Sequence, residues 1–262
     1  MRLKFNFFII IQLFTFLSSN NCFSQDDIKY YVNSMGNRVI GTIEIKLAKG
    51  WHTYWKYPGG SGYQPKISTL YEENLSSFNI FWPFPQILGP NNFEYFGYDK
   101  SVLLPFEIYK IDKDKIAGTE ILLSYGICRR ICIVRNKVLN IKEDKKSSPM
   151  ELKKISLSFR SLPSVFNGLE ENNCTIKNSG SNSFKLNMFN KVLKENKKID
   201  LALIDHNNKK FSITHQFFNP SEGIVTAEIF SDKISITDFD LTKVNLLFSI
   251  NGSVKKILGC KV

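Results

Sequence analysis

The chain has 262 residues, a formal net charge of +11 and a hydrophobic fraction of 43%. This length suits two small β domains or one large one. The basic balance does not indicate a nucleic-acid-binding protein, because the lysines are spread through both halves and lie next to acids, as at 110–115 and 142–146. We interpret the charge as a solvated basic surface that would steer acidic partners or membranes.

The first 24 residues have the pattern of a secretory signal peptide. Arg2 and Lys4 precede a mostly apolar run at 5–17, and small polar residues follow as far as Ser24. The apolar run is shorter than the roughly 18 residues that a membrane span needs. We expect cleavage after Ser24, which lowers the net charge to +9 and gives an exported, soluble protein. The alternatives are an uncleaved anchor and a lipoprotein acylated at Cys22.

Short β-rich runs follow from residue 28 to residue 141. Apolar residues alternate through Ile43, Ile45 and Leu47, as in a half-buried strand. The predicted strands of this half are 28–32, 38–47, an aromatic strand that starts at 51, 65–67, 78–83, 102–108, 120–125 and 134–141. We predict a glycine-rich loop that ends at residue 62 and another loop at 89–98. Short strands at this spacing are typical of a β-sandwich.

A charged and then serine-rich segment, 142–148, is the predicted domain boundary. A short connecting helix is predicted at 150–162. The predicted strands of the second half are 183–188, 199–204, 211–217, 223–230 and 244–250. The sequence contains no glycine-rich phosphate loop, no catalytic Ser/His/Asp pattern and no repeat of useful period.

Cys128 and Cys132 lie four residues apart between aliphatic runs that are typical of strands. Residues four apart in an extended strand are roughly 13 Å apart, at about 3.3 Å per residue. A disulfide needs Cα atoms about 4.4–6.8 Å apart, so the chain must turn between these cysteines if they pair. Export makes disulfides the expected state. Four cysteines remain after the predicted cleavage, and they can pair in three ways. Local spacing favours Cys128–Cys132, which leaves Cys174–Cys260.

The residues alone leave three roles open for the close pair. Arg129 and Arg130 would lower the thiol pKa and favour a redox centre, which exchanges through a mixed disulfide. An inert staple is equally compatible with the spacing. Together with His52, the cysteines would also form a site for copper, whereas zinc is disfavoured because there are only three histidines and no second pair of closely spaced cysteines. We predict no metal. For Cys174–Cys260 we predict a structural disulfide, with a second redox pair as the alternative.

Four motifs in the first half occur in a familiar order. They are GWHTYWK at 50–56 followed by Pro58-Gly59, WP at 82–83, FGY at 96–98 followed by VLLP at 102–105, and YGICRRICI at 125–133. This series resembles the amino-terminal domain of the thiol:disulfide interchange protein DsbD, in the variant seen in ScsB-like proteins, over about 26–142. The second half resembles, more weakly, the additional β domain of ScsB-like proteins.

The resemblance implies an immunoglobulin-like sandwich in the periplasm. Cys128 and Cys132 match the family's active cysteines, and His52 and Tyr54 match the aromatic strand beside them. The family's cap loop, which shields the disulfide, matches the segment around 91–96. The cap residues are Asn92, Phe93, Tyr95 and Phe96, with Phe93 as the shielding ring.

Three departures from the family pattern matter. The cysteines have three residues between them rather than a wider gap, and Asn91-Asn92 stands where acidic residues precede the cap aromatic. The sequence also lacks the family's membrane domain and its terminal thioredoxin-like domain. The resemblance therefore implies an electron donor on another protein, or a module that has become a binding domain.

These observations predict an all-β protein with two tandem immunoglobulin-like β-sandwich domains after a signal peptide. The predicted segments are 1–24 signal peptide, 25–145 redox domain, 146–165 linker and 166–262 second sandwich. The predicted function is a periplasmic thiol–disulfide relay without a cofactor, and which cysteine attacks stays open. The resemblance implies as partners a membrane-embedded donor of the DsbD or CcdA type and periplasmic thioredoxin-like or cytochrome-maturation proteins, and the charge pattern predicts no nucleic acid. The alternative is a non-enzymatic adaptor or copper-binding protein with structural cysteines.

Overall fold

The computed structural model describes residues 26–90, 93–166, 172–180, 182–206, 211–231 and 238–261. Strands make up 58% of it and helices 10%, which confirms the predicted all-β class. The predicted signal peptide and Asn91-Asn92 of the predicted cap loop lie outside the described residues. In the part that is described, no helix is both long and apolar enough to cross a bilayer.

The segment 26–142, the first half, forms two sheets. Its strands are β1 (Asp26–Met35), β2 (Arg38–Leu47), β3 (His52–Tyr54), β4 (Lys66–Glu73), β5 (Leu75–Ile80), β6 (Gln86–Leu88), β7 (Tyr95–Tyr98), β8 (Val102–Lys110), β9 (Gly118–Cys128) and β10 (Cys132–Lys142). One sheet has the order β1-β2-β8-β5, and the other has the order β10-β9-β3-β7-β6 with β4 also paired to β9.

The core of this half follows from strand alternation. On β8, Leu104, Phe106 and Ile108 are fully buried, and on β9 so are Ile121 and Leu123. Residues two apart on a strand point to the same face, so each strand buries one row of side chains. Each such side chain contributes about 1.5–3 kcal/mol by leaving water. The prediction of a loop throughout 89–98 was wrong for Tyr95–Tyr98, because β7 pairs with both β3 and β6.

A helix, α1 (Pro149–Arg160), lies within the predicted linker. Ser148 caps it: its side chain accepts from the Glu151 N–H, and the Glu151 carboxylate accepts from the Ser148 N–H. This capping box, with proline in the first turn, is a strong helix start. Ile155 is buried, and the Phe159 ring lies 6.3 Å from that of Phe81, so the helix packs on the first half.

The segment 164–261, the second half, also forms two sheets. Its strands are β11 (Ser164–Val165), β12 (Asn173–Asn178), β13 (Ser183–Phe189), β14 (Ile199–His206), β15 (Ser212–Asn219), β16 (Ile224–Phe230), β17 (Val244–Ile250) and β18 (Ser253–Leu258), and its helix is α2 (Lys191–Glu195). The sheet orders are β11-β18-β17-β14 and β12-β13-β16-β15.

The four sheets can be read together as a propeller-like ring. The pairing of sheets into two immunoglobulin-like sandwiches, and the boundaries of the two domains, therefore stay predictions. The halves are nevertheless joined, because one cluster of buried hydrophobic side chains runs through both of them. The two halves therefore share a hydrophobic core.

Candidate redox site

The close cysteines sit at the tip of the β9–β10 hairpin. Strand pairing places Cys128 opposite Cys132, and the turn between them is closed by the Arg129 N–H, which donates to the Ile131 carbonyl at 3.1 Å. The cysteine Cα atoms lie 4.1 Å apart and the sulfurs are bonded. The predicted turn and the predicted local pairing are both present.

The two sulfurs differ in their access to solvent. Cys128 ends β9 and is only 2% exposed, whereas Cys132 begins β10 and is exposed. A partner can therefore approach the bond from the Cys132 side, while Cys128 is held against the sheet.

A tyrosine hydroxyl contacts both sulfurs. The Tyr54 hydroxyl lies 2.9 Å from Cys128 Sγ and 3.6 Å from Cys132 Sγ. A disulfide sulfur carries no hydrogen, so the hydroxyl is the donor. Burial raises the pKa of Tyr54, and the neighbouring Tyr95 raises it further. The hydroxyl therefore keeps its proton at neutral pH and remains a donor.

The local sequence explains why Tyr54 reaches the sulfurs. In β3, His52 pairs with Cys128, and the Thr53 hydroxyl donates a buried hydrogen bond of 2.7 Å to the Gly126 carbonyl. Alternation then puts His52 and Tyr54 on the face opposite Thr53. A Cβ atom at position 126 would lie 3.1 Å from the Tyr54 ring, so glycine leaves the space that the ring occupies.

Tyr95 on β7 completes an aromatic wall. Its ring stacks on His52 at 4.9 Å between centroids and meets Tyr54 edge-on at 5.2 Å. Its hydroxyl lies 2.9 Å from His52 Nε2. Burial lowers the pKa of His52 and raises the pKa of Tyr95, so both side chains are uncharged at neutral pH. The disulfide thus borders an uncharged wall with one hydroxyl directed at its sulfurs.

Comparison with known proteins finds a family model that matches the part of the chain in which this arrangement lies. Residues 21–141 match the model of the family described as thiol:disulfide interchange protein DsbD, N-terminal. The chain carries a DsbD amino-terminal-like domain. That domain contains both hairpin cysteines, His52, Tyr54 and Tyr95.

A solved structure shares the fold beyond the DsbD-type domain. The crystal structure of the N-terminal periplasmic domain of ScsB from Proteus mirabilis matches with a TM-score of 0.59 at 18% identity. The match covers 90% of this chain and 94% of that chain. At this identity the likeness shows the fold alone. No curated protein matches the chain.

The predicted cap of the DsbD-type domain is only partly at the site. Phe93 is 65% exposed, and its N–H donates to the Pro90 carbonyl at 3.0 Å. Phe96 packs edge-on against Trp55 at 6.4 Å. Among the described cap residues, the contacts with His52 and Tyr54 come from Tyr95. The Phe93 ring is mostly in solvent, and its shielding role stays a prediction.

The turn between Cys128 and Cys132 carries two positive charges. Arg129 and Arg130 are exposed, and Ile131 beside them is 68% exposed. The Arg129 side chain passes over Gly50, where a Cβ would lie 3.3 Å from its Nε. Neither guanidinium forms a salt bridge with any residue that the structure describes. Both charges are therefore available to the thiols or to a partner.

The second disulfide lies outside the DsbD-type domain. Cys174 and Cys260 are 86 residues apart, with Cα atoms 5.7 Å apart and the sulfurs bonded, as the remaining connectivity predicted. Cys260 is 8% exposed, and its N–H donates to the Leu241 carbonyl at 3.1 Å. The bond ties β12 to the segment after β18. Within the described ranges, no group of three or more His, Cys, Asp or Glu side chains is arranged to hold a metal ion.

Residues of the site that the sequence did not single out are Thr53, Tyr63 and Gly126. Gly126 lies inside the YGICRRICI motif, where glycine two residues before a cysteine was an available signal. Thr53 was signalled by alternation, because it lies between two residues that were assigned to the site. The Tyr63 hydroxyl lies 3.0 Å from Ser124 Oγ on β9, but Tyr63 follows a glycine-rich stretch, and nothing in its local pattern indicates this contact.

Proposed function

We propose that the chain is a periplasmic thiol–disulfide interchange protein that passes electrons through Cys128 and Cys132. The observation that most supports this proposal is an accessible hairpin disulfide whose sulfurs both lie near the Tyr54 hydroxyl. Membership of the DsbD-type domain in a thiol–disulfide interchange family supports this function. We also propose that each half forms an immunoglobulin-like sandwich, with domains at 25–145 and 166–262 and a linker at 146–165.

In the proposed reaction, Cys132 attacks first because it is the exposed cysteine of the pair. Its thiolate displaces one sulfur of the partner's disulfide, and a mixed disulfide forms. Cys128 then gives up its proton and attacks Cys132 Sγ, which releases the second partner sulfur as a thiolate. The partner gains two electrons and, on protonation, two hydrogens, while the Cys128–Cys132 bond forms again.

The surroundings favour this sequence of steps. Hydrogen bonds to a charged acceptor are roughly twice as strong as those between neutral groups, so Tyr54 stabilises a thiolate more than a disulfide. Arg129 and Arg130 add positive charge beside the sulfurs, which also favours the thiolate. Both effects make the reduced pair reactive near neutral pH.

The proposed partners follow from the family and from the turn. Reduced thiols must be regenerated by a membrane-embedded donor of the DsbD or CcdA type. The acceptors would be oxidised thioredoxin-like or cytochrome-maturation proteins. An acceptor with an acidic rim around its own disulfide would suit the exposed Arg129 and Arg130.

The test is trapping of a purified thioredoxin-like protein in its oxidised form. Cys128→Ser leaves the exposed Cys132 without its resolving partner, so the mixed disulfide should accumulate. Cys132→Ser leaves the buried Cys128 and should trap much less. Wild-type protein, which resolves the intermediate, is the control.

A redox titration completes the test. If a thioredoxin-like reductant cannot reduce the Cys128–Cys132 bond without denaturant, the pair is a staple and the relay proposal is lost. Stoichiometric copper binding by the reduced form would favour the copper-binding alternative.

A further inference from the structure

One loop connects the redox hairpin with the second half. Residues 56–64, which we call the bridging loop, begin one residue beyond β3, after Trp55. At its start, the Lys56 ammonium pairs with the Asp205 carboxylate, and the Tyr57 hydroxyl donates to the His206 carbonyl. Both side chains of the ion pair are largely buried, at 18% and 14% exposure, and Tyr57 is 6% exposed. These are protected contacts between the halves.

The end of the bridging loop is also anchored on the second half. The Ser212 hydroxyl donates to Gln64 Oε1 at 2.9 Å. Between the two anchors, Gly60 packs so closely on His215 that a Cβ would lie 2.4 Å from His215 Nε2. The loop therefore contacts β14 at its start and β15 along its middle and end.

The opposite side of the bridging loop packs on the redox site. A Cβ at Gly62 would lie 2.9 Å from the Tyr54 ring. Tyr63 packs against Gly126, and its hydroxyl lies 3.0 Å from Ser124 Oγ on β9. The loop thus supports the ring whose hydroxyl reaches both sulfurs.

The composition of the loop makes external anchors necessary. Residues 59, 60 and 62 are glycines, and glycine loses more conformational freedom on ordering than any other residue. A loop of this kind keeps one conformation only if contacts at both ends oppose that entropy. In this chain the second half supplies contacts at both ends, through Asp205 and Ser212, beside those that Pro58 and Tyr63 make with Phe96 and Ser124 of the first half.

We propose that the second half is a positioning element for the redox pair: through the bridging loop it fixes Tyr54 against the sulfurs and shifts the equilibrium towards the dithiol. The proposal rests on the proposed function in one respect, that the pair is reducible. Because Tyr54 stabilises thiolate more than disulfide, loosening the loop shifts the equilibrium towards the disulfide and raises the pKa of the reduced thiol.

The test uses glutathione, so it needs no protein partner. Two glutathione thiols reduce the Cys128–Cys132 bond and become one glutathione disulfide, and the equilibrium constant follows from the fraction reduced. Tyr57→Phe removes one hydroxyl and should lower this constant about three-fold. Asp205→Asn should act in the same direction. Lys243→Gln, which breaks an exposed ion pair with Asp240 in the second half, is the matched control and should leave the constant unchanged.

A double-mutant cycle separates positioning from general destabilisation. In a Tyr54→Phe background, Tyr57→Phe should have no further effect on the constant or on the thiol pKa, which is read from the ultraviolet absorbance of the thiolate. An equal shift in both backgrounds would overturn the proposal, and so would folded variants with the wild-type constant. If glutathione cannot reduce the wild-type pair at all, the proposed function itself fails, which is a different result.

Discussion

The two disulfides of this chain have the same chemistry and opposite settings. Cys128–Cys132 closes a four-residue separation at an exposed tip, while Cys174–Cys260 closes 86 residues within the second half. Loop entropy alone would give about 2 kcal/mol for the first bond and about 4.6 kcal/mol for the second. The bond with the smaller expected contribution to stability is the one that lies beside the Tyr54 hydroxyl, the aromatic wall and the exposed Arg129 and Arg130.

This contrast supports the proposal that the hairpin bond is the redox pair. A staple needs only two well-placed Cα atoms and gains most from a long enclosed loop. A redox pair needs access for a partner and groups that stabilise a thiolate. The hairpin bond has the second set of properties, and the bond of the second half has the first.

The largest expected effect comes from removing the hairpin cysteines. Replacing Cys128 and Cys132 by serine should reduce disulfide exchange with a thioredoxin-like partner to the uncatalysed rate. The free energy of unfolding should fall by no more than about 2 kcal/mol, because the closed loop is short. Partner reduction assays and urea denaturation measure the two quantities. A larger stability loss with unchanged exchange would reverse the assignment of the two bonds.

Removing the other pair should give the opposite result. With Cys174 and Cys260 replaced by serine, the free energy of unfolding should fall by about 2–5 kcal/mol. Exchange per folded molecule should stay at the wild-type value, since the bond lies outside the DsbD-type domain. Urea denaturation and partner reduction, run on the same samples as the hairpin variant, make the comparison direct. Loss of exchange in fully folded protein would show that the second bond is also part of the relay.

Much of the site could be predicted because its determinants are local. The spacing of Cys128 and Cys132 requires a turn if they pair. The resemblance assigned His52 and Tyr54 to the strand beside the cysteines, and alternation on β3 puts both on one face. The capping residues around Ser148 likewise belong to a local pattern. These features depend on a few neighbouring residues and on strand geometry.

The remaining features depend on contacts that are distant in sequence. Tyr57 meets His206 across 149 positions, and no local pattern identifies such a partner. The resemblance implied Phe93 as the shielding ring, and no local pattern favoured Tyr95 over it. The two residues have the same alternation parity, but β7 begins only at Tyr95, so Phe93 lies outside the paired strand.

The charged turn offers a smaller effect on the same comparison. Replacing Arg129 and Arg130 by glutamine should slow exchange with an acidic thioredoxin-like partner several-fold at low ionic strength. The difference from wild type should shrink in about 1 M salt, where the Debye length is about 3 Å. Stopped-flow rates across a salt series measure this, and Lys191→Gln on α2, an exposed charge of the second half, is the control. Equal salt dependence in both variants would mean that the turn does not steer the partner.

The smallest expected effect is on the pH dependence of stability, because each half contains a histidine, half-buried His52 and buried His206, whose pKa burial lowers. Burial lowers the pKa of both His52 and His206 below the value of about 6.5 that an unfolded chain has. Between the lowered pKa and 6.5 the unfolded state binds more protons, so stability falls as pH falls through this window. His52→Gln should remove less than one proton from that dependence, while the His206 contribution remains.

Urea denaturation of wild type and His52→Gln, from pH 8 down to pH values below the lowered histidine pKa, measures the difference in how the free energy of unfolding depends on pH. Above the unfolded pKa the two curves should run parallel, because neither histidine is charged in either state. Below it the variant curve should fall less steeply. Parallel curves throughout would mean that His52 titrates alike in the folded and unfolded chains. The aromatic wall of His52 and Tyr95 would then be open to water, and the Tyr54 hydroxyl would act on the sulfurs in a solvated site rather than in the half-buried one.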